Sequence, residues 1–158
     1  MTRGTRPVKS HPRRKDISAA DYRELAEFRF RIRQFLYLTE EAARAHGMEP
    51  QQHQLLLAIR GLPKGARPTV TTISDRLCLR HHSTVELIDR LEKQGAVARQ
   101  QGEQDRREVL LHLTARGEER LRQLTVSIWP QLQVAGEALS DALQKLLAAS
   151  RETERDGR

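Results

Sequence analysis

The first long patterned stretch of the chain has the spacing of an amphipathic helix. Its charged residues fall mostly on one side, and its apolar positions recur every three or four residues: Leu25, Phe28, Ile32, Phe35 and Leu36. Ser18 followed by Asp21 resembles a capping box, and Gly47 is a natural stop. The pattern therefore predicts a helix from about Ser18 to His46.

Two shorter helices are predicted next. Pro50 opens one of them at a position where proline is tolerated, and its apolar positions Leu55, Leu56 and Ile59 precede Gly61. A loop over residues 61–68 leads into a short helix that carries Ile73 and Leu77. The start of this short helix stays open, because three threonines could each cap it: Thr69, Thr71 and Thr72.

The following helix has the clearest apolar stripe, at Thr84, Leu87, Ile88 and Leu91, and Gly95 lies just beyond its end. Two starts remain open for it, one just after Arg80 and a later one at a capping box of Ser83 with Glu86. A short helix, a tight break and a longer amphipathic helix form the helix-turn-helix pattern.

A hairpin and a last helical region complete the pattern. Strands are predicted at residues 96–99 and 108–113, joined by a long polar tip that contains Gly102. Thr114 is predicted to cap the final helical region, and Pro130 is predicted to kink or break it. Cys78, between two leucines on the short helix, is expected to be a buried small hydrophobe.

Composition narrows the class of partner. The 158 residues carry 28 Lys and Arg against 21 Asp and Glu, a net charge of +7, which favours an anionic partner. Part of this surplus comes from residues 1–17, which we interpret as a disordered basic arm. An aromatic content of 4% argues against a single-strand binder that stacks bases.

Other classes of protein are disfavoured by what the sequence lacks. A single cysteine permits no intrachain disulfide, and the chain has neither a long apolar run nor a secretory signal, so we expect a cytoplasmic protein without membrane contact. No catalytic set, phosphate-binding glycine loop or metal-ligand spacing is visible. We therefore expect no enzyme activity, no cofactor and no metal.

Helix, break, helix and basic hairpin is an arrangement suited to reading double-stranded DNA. One α-helix fits the major groove, and the narrow, negative minor groove attracts arginine. The candidate DNA-binding residues lie on the second helix of the helix-turn-helix and at the hairpin tip: Arg80, His81, His82, Ser83, Glu86, Arg90, Arg99, Asp105, Arg106 and Arg107. Asp89 and Arg90 are alternatively expected to pair with neighbouring side chains.

Several short motifs over residues 77–117 together resemble the core of the MarR family of bacterial regulators. They are Leu-Ile-Asp-Arg-Leu-Glu-Lys-Gln-Gly at 87–95, then Val97 and Arg99, Asp-Arg-Arg at 105–107, and Leu-Thr-Ala-Arg-Gly at 113–117. The resemblance implies a mainly α fold, a winged helix-turn-helix with a two-stranded β wing and N- and C-terminal dimerisation helices. It also implies that Arg107 enters the minor groove and that Asp105 orients it.

The resemblance further implies a homodimer that binds a pseudo-palindromic operator as a transcription regulator, and a small aromatic or phenolic effector. Phe28, Phe35 and His53 are candidates for the effector pocket. Two alternatives stay open: a non-specific basic nucleic-acid-binding or architectural protein, and a winged-helix adaptor that binds only protein.

These predictions divide the chain into five parts. Residues 1–17 are the basic arm, 18–48 the N-terminal dimerisation helix and 49–114 the winged helix-turn-helix. Residues 115–150 form the C-terminal dimerisation helices, and 151–158 are a frayed tail.

Overall fold

A computed structural model of the chain describes residues 17–102 and 107–155, with side chains described as far as residue 149. The predicted basic arm therefore lies outside the described residues, apart from Ile17. The helices and strands follow in this order: α1 (Ala19–Ala45), α2 (Pro50–Arg60), α3 (Val70–Leu77), α4 (His81–Lys93), β1 (Val97–Gln101), β2 (Val109–Leu113) and α5 (Ala115–Arg155). The predicted mainly α fold with a two-stranded hairpin is confirmed.

The ends of the helices follow the predicted caps. The Ser18 hydroxyl accepts the backbone N–H of Asp21 at 3.2 Å, and the Asp21 carboxylate accepts the Ser18 N–H at 2.9 Å. Thr69 is the threonine that caps α3, since its hydroxyl accepts the Thr72 N–H at 3.1 Å. Gly47 and Gly95 have positive φ just beyond α1 and α4, where the chain must turn back in the left-handed region.

The core lies where α2, α3 and α4 meet the hairpin and the first half of α5. Its largest fully buried side chains come from all of these elements: Leu55, Leu56, Ile73, Leu87, Ile88, Leu91, Val97, Leu111 and Leu124. The predicted stripe of α4 is thus buried along its whole length. In contrast, α1 packs mainly along α5. The helix-turn-helix and hairpin form one lobe, while α1 and the distal part of α5 extend from it.

Of the kink or break predicted at Pro130, the break is wrong, because α5 continues through this residue as one helix of 41 residues. Proline inside a helix removes a single backbone hydrogen bond and crowds the preceding turn. Side chains are buried on both sides of Pro130, at Ile128 and Ala142, and packing along α1 keeps both halves helical. The predicted frayed tail is likewise helical as far as Arg155.

Cys78 is exposed, so its predicted burial is wrong. The residue ends α3 with a left-handed backbone at φ 53, and the following N–H of Leu79 returns to the carbonyl of Ser74 at 3.1 Å. This reversal turns the Cys78 side chain outward although both neighbouring leucines are half-buried. Within the described part of the chain, no helix is both long enough and apolar enough to cross a membrane.

Candidate nucleic-acid interface

Helix α4 presents two contrasting faces. Thr84, Leu87, Ile88 and Leu91 are at most 2% exposed and face the core. The candidate residues at its N-terminal end face outward, and only Ser83 among them is half-buried: Arg80, His81, His82, Glu86 and Arg90 are exposed. A helix anchored this firmly on one side offers a fixed row of donors and acceptors on the other.

The start of α4 is now defined. The helix begins at His81 with Arg80 as its N-cap, so the later start at Ser83 is excluded. No side chain caps this end, and the first turn contains no acidic residue. Its first backbone N–H groups therefore carry the positive end of the helix dipole without a neutralising side chain.

The wing is a short antiparallel hairpin of β1 and β2, with Val97 opposite Leu113 and Gln101 opposite Val109. The Gly102 N–H donates to the carbonyl of Glu108 at 2.8 Å and extends the pairing towards the tip. Arg107 is exposed in the turn just before β2. The candidate residues Asp105 and Arg106 lie outside the described residues.

Arg99 does not lie at the hairpin tip, where the sequence-based assignment put it. It is the middle residue of β1, opposite Leu111, and its guanidinium contacts Asp89 at 2.5 Å as well as Glu92, both on α4. Partial burial opposes the charged form, but the hydrogen bond with Asp89 and the charge of Glu92 raise the pKa of Arg99 above its ordinary value. The alternative expectation that Asp89 pairs with a neighbour is confirmed.

The second strand is also attached to the helical part of the lobe. Glu108, immediately before β2, forms an ion pair with Arg67 in the loop before α3. The Leu111 N–H donates to the carbonyl of Pro68 in the same loop at 2.8 Å. Sequence reasoning missed the Arg67–Glu108 pair, because the two side chains are 41 positions apart and share no periodic pattern.

Thr114 joins α5 to the turn between α4 and β1. Its hydroxyl donates to the carbonyl of Gly95 at 2.6 Å and accepts the N–H of Gly117 at 3.1 Å. Its own N–H donates to the carbonyl of Ala96 at 3.1 Å. Gly117 packs so closely on Ala96 that an added Cβ would lie 2.0 Å from the Ala96 carbonyl oxygen. This contact explains why threonine and glycine occur at this spacing.

The three candidate effector residues lie on two helices. Phe28 and Phe35 are half-buried on α1, whereas His53 is buried on α2. Burial lowers the pKa of His53, which favours its neutral form. A cavity of about 640 Å³ lies between α1 and α5, but none of the three lines it; its walls include Tyr37, Leu38, Pro130 and Val134.

Comparison with known proteins agrees with this geometry. Residues 46–108 match the model of the MarR family. No curated protein sequence matches the chain. Many solved structures do, among them a cysteine mutant of MarR from E. coli bound to operator DNA, with 22% identity and a TM-score of 0.62 over 78% of this chain and 88% of that one.

Two further structures are similar. The transcriptional repressor CouR bound to a 23-mer DNA duplex has 22% identity and a TM-score of 0.60, over 86% of this chain and 99% of that one. BpsR from Bordetella bronchiseptica, described for the regulation of its DNA binding by 6-hydroxynicotinic acid, has 19% identity and a TM-score of 0.57, over 78% and 89%. At these identities the likeness concerns the fold. Residues 46–108 thus match the MarR family, and the chain as a whole has the fold seen in these MarR-family structures.

Proposed function

We propose that this protein is a cytoplasmic, non-catalytic transcriptional repressor that binds a pseudo-palindromic site in double-stranded DNA as a homodimer. One observation carries the proposal: the N-terminal end of α4 is polar, exposed and uncapped, while the opposite face of the same helix is buried in the core. A rigid helix of this kind fits the major groove, where each base pair presents its own pattern of donors and acceptors.

The proposed contacts divide by groove. His81, His82 and Glu86 read base edges from α4, with the half-buried Ser83 beside them. Arg80 and Arg90 bind phosphates at the two sides of the groove, and the uncapped N–H groups of α4 favour a phosphate near Arg80. In the wing, Arg107 enters the minor groove, Asp105 orients it and Arg106 binds phosphate.

The family match and the operator-bound relatives support DNA as the partner. The matched residues 46–108 contain α2, α3, α4, β1 and the exposed Arg107. The similar MarR and CouR structures each contain DNA. The matched residues of this chain carry the proposed DNA contacts, so the family match covers the part of the chain that the proposal uses.

A second copy of the chain is proposed to cover the apolar face of α1 and α5. Large apolar side chains on both helices are exposed: Tyr22, Leu25, Phe30, Leu36, Tyr37, Val126, Trp129, Val134, Leu143 and Leu147. Exposure of this many large apolar side chains on two adjacent helices is typical of an interface. In a dimer each copy contributes one α4, and two recognition helices about one DNA turn apart read a symmetric site.

A small aromatic or phenolic effector is proposed to bind between α1 and α5. The cavity there, about 640 Å³, has the size of ordinary ligand sites. Its walls are mostly apolar, with Arg31 and Gln34 on α1 and Gln131 on α5 as polar groups. The regulation of BpsR by 6-hydroxynicotinic acid supports an effector of this class. Such a ligand would release DNA only if it binds more tightly to the dimer at one spacing of its two helix-turn-helix lobes than at another.

Selection of bound duplexes from a random library, followed by competition binding, tests the proposal. We expect a symmetric consensus with half-sites about 10 bp apart and a slope of log K against log salt of roughly −5 to −10. His82→Ala should relax preference at one or two base pairs, while His46→Ala, which changes an exposed histidine at the end of α1, should not.

The two alternatives predict different results. A non-specific architectural protein would bind with a steep salt dependence but would yield no consensus. A protein–protein adaptor would show no retention of DNA at any salt concentration. Static light scattering that finds a monomer at micromolar concentration would contradict the dimer.

A further inference from the structure

Ion pairs on β1 and immediately before β2 fix the wing to the helix-turn-helix lobe. On β1, the Arg99 guanidinium contacts the carboxylates of Asp89 and Glu92 on α4. Just before β2, Glu108 pairs with Arg67 in the loop before α3. The described part of the hairpin is therefore held from two sides, and the direction of its strands is coupled to the direction of α4.

The Arg99 contact differs from the proposed DNA contacts in its surroundings. Its side chain is 28% exposed, and two of its guanidinium nitrogens are each bound to a different carboxylate. Arginine presents its donors in a rigid planar fork, so a guanidinium bound in this way has a fixed orientation. Turning it towards a phosphate would leave two carboxylates unpaired beside a polyanion.

Asp89 and Glu92 are three residues apart on α4 and so lie on one side of the helix. They follow Glu86 and precede the turn that leads into β1. Two acidic residues this close to a DNA-binding surface oppose binding through their charge. The ion pairs with Arg99 neutralise part of this negative charge and give both carboxylates a structural role.

We propose that Arg99 is a positioning residue: by holding β1 against the end of α4, it fixes the angle between the recognition helix and the wing. The inference rests on the proposed function and revises it, since Arg99 then makes no contact with DNA. A rigid lobe that contacts two grooves binds DNA without having to order the wing first. We call the contacts of Arg99 with Asp89 and Glu92 the clamp. When the clamp is removed, the wing is freer in the unbound protein and must lose this conformational freedom when the protein binds DNA.

The direction in which one substitution changes the affinity for DNA distinguishes this positioning role from a direct contact with DNA. If Arg99 bound DNA, Asp89→Asn would free its guanidinium and remove a negative charge, so affinity would rise. The positioning role predicts that Asp89→Asn weakens binding by about 3- to 10-fold, the size expected for ordering a few additional groups on binding. The matched control is Asp75→Asn on α3, which removes an exposed carboxylate for which no ion pair occurs among the described residues.

Arg99→Gln should weaken binding by a similar factor. The double variant with Asp89→Asn should be no weaker than either single variant, because both changes open the same clamp. The slope of log K against log salt should stay at the wild-type value, whereas removal of a phosphate contact such as Arg80 should reduce it by about 0.9 per protomer. Arg99→Lys keeps the charge but not the fork and should restore only part of the affinity.

Hydrogen exchange without DNA completes the test. Arg99→Gln should speed exchange of the β1–β2 amides and leave the α5 amides unchanged. If the wild-type protein binds a selected duplex but Asp89→Asn binds it equally well or more tightly, the positioning role is overturned and the proposed function stands. If the wild-type protein binds no duplex, the proposed function fails and the role of Arg99 in binding fails with it, whatever the exchange rates.

Discussion

A methyl group added at Gly117 should separate α5 from the helix-turn-helix lobe. An ideal Cβ at this position lies 2.0 Å from the carbonyl oxygen of Ala96 and 2.9 Å from its carbonyl carbon. Both are backbone atoms, so no side-chain rotation relieves the overlap. The first turn of α5 must move away by more than 1 Å, roughly, to reach an ordinary van der Waals distance.

The expected loss of stability follows from the contacts around Gly117. The movement breaks the hydrogen bonds of Thr114 with the carbonyls of Gly95 and Ala96, at about 1 kcal/mol each. Disturbed packing in the adjoining core adds about 1–3 kcal/mol. Alanine in place of glycine returns about 1 kcal/mol through its helix propensity. The net prediction for Gly117→Ala is a loss of about 2–4 kcal/mol in the free energy of unfolding.

Urea unfolding followed by circular dichroism, at a fixed protomer concentration, measures this change. Gly136→Ala is the matched control, because it makes the same substitution in the same helix at a position where no atom lies within 4 Å of the added Cβ. We expect the control to gain up to about 1 kcal/mol. Equal stability of Gly117→Ala and wild type, or an equal loss in both variants, would refute the argument from close approach.

Three other changes test features of the same lobe. Cys78→Gly should stabilise the fold by about 0.5–1 kcal/mol in the same urea assay, because glycine adopts the left-handed backbone at φ 53 without strain; a loss of stability would contradict this. Thr114→Val should cost about 1–2 kcal/mol through loss of the cap, clearly more than Thr125→Val in mid-helix. Since burial lowers the pKa of His53, the unfolded chain binds a proton more readily, and the melting temperature should fall as the pH drops below about 6.5. His53→Gln should reduce this fall and His112→Gln, at an exposed position, should not; equal pH profiles for the two variants would argue against His53 as the source.

The elements that the sequence predicted well are those with local signals. Capping side chains, glycines in left-handed turns and the apolar stripe of α4 each act within a few residues, so Ser18, Thr114 and Gly95 could be assigned from the sequence. The start of α4 needed the structure, because the Ser83–Glu86 capping box competed with a start that no side chain caps. Burial of Thr84, whose hydroxyl donates to the carbonyl of Arg80 at 3.2 Å, decides for the earlier start.

The misplaced features depend on tertiary contacts. Proline at position 130 lowers the local preference for helix, but packing along α1 holds both halves of α5. Cys78 has the sequence surroundings of a core residue, yet a single left-handed residue turns it outward. The charge of Arg99 predicts a place at the wing tip, whereas the hairpin register and its contacts with Asp89 and Glu92 place it in the middle of β1.

The uninterrupted course of α5 has a mechanical consequence. Its 41 residues span about 60 Å, and the end at Gly117 is anchored to the turn between α4 and β1 while the remainder lies along α1. The helix can act as a lever arm, since a tilt of about 5° around its middle displaces the Gly117 end by about 2–3 Å. In a symmetric dimer the two arms would move oppositely, so the recognition helices would shift by about 5 Å against a half-site separation of about 34 Å. The cavity between α1 and α5 is lined on α5 by residues from Pro130 to Ala138, close to the middle of this helix. A small ligand lodged there would act near the pivot, and the half of α5 that ends at Gly117 would amplify a slight change in packing.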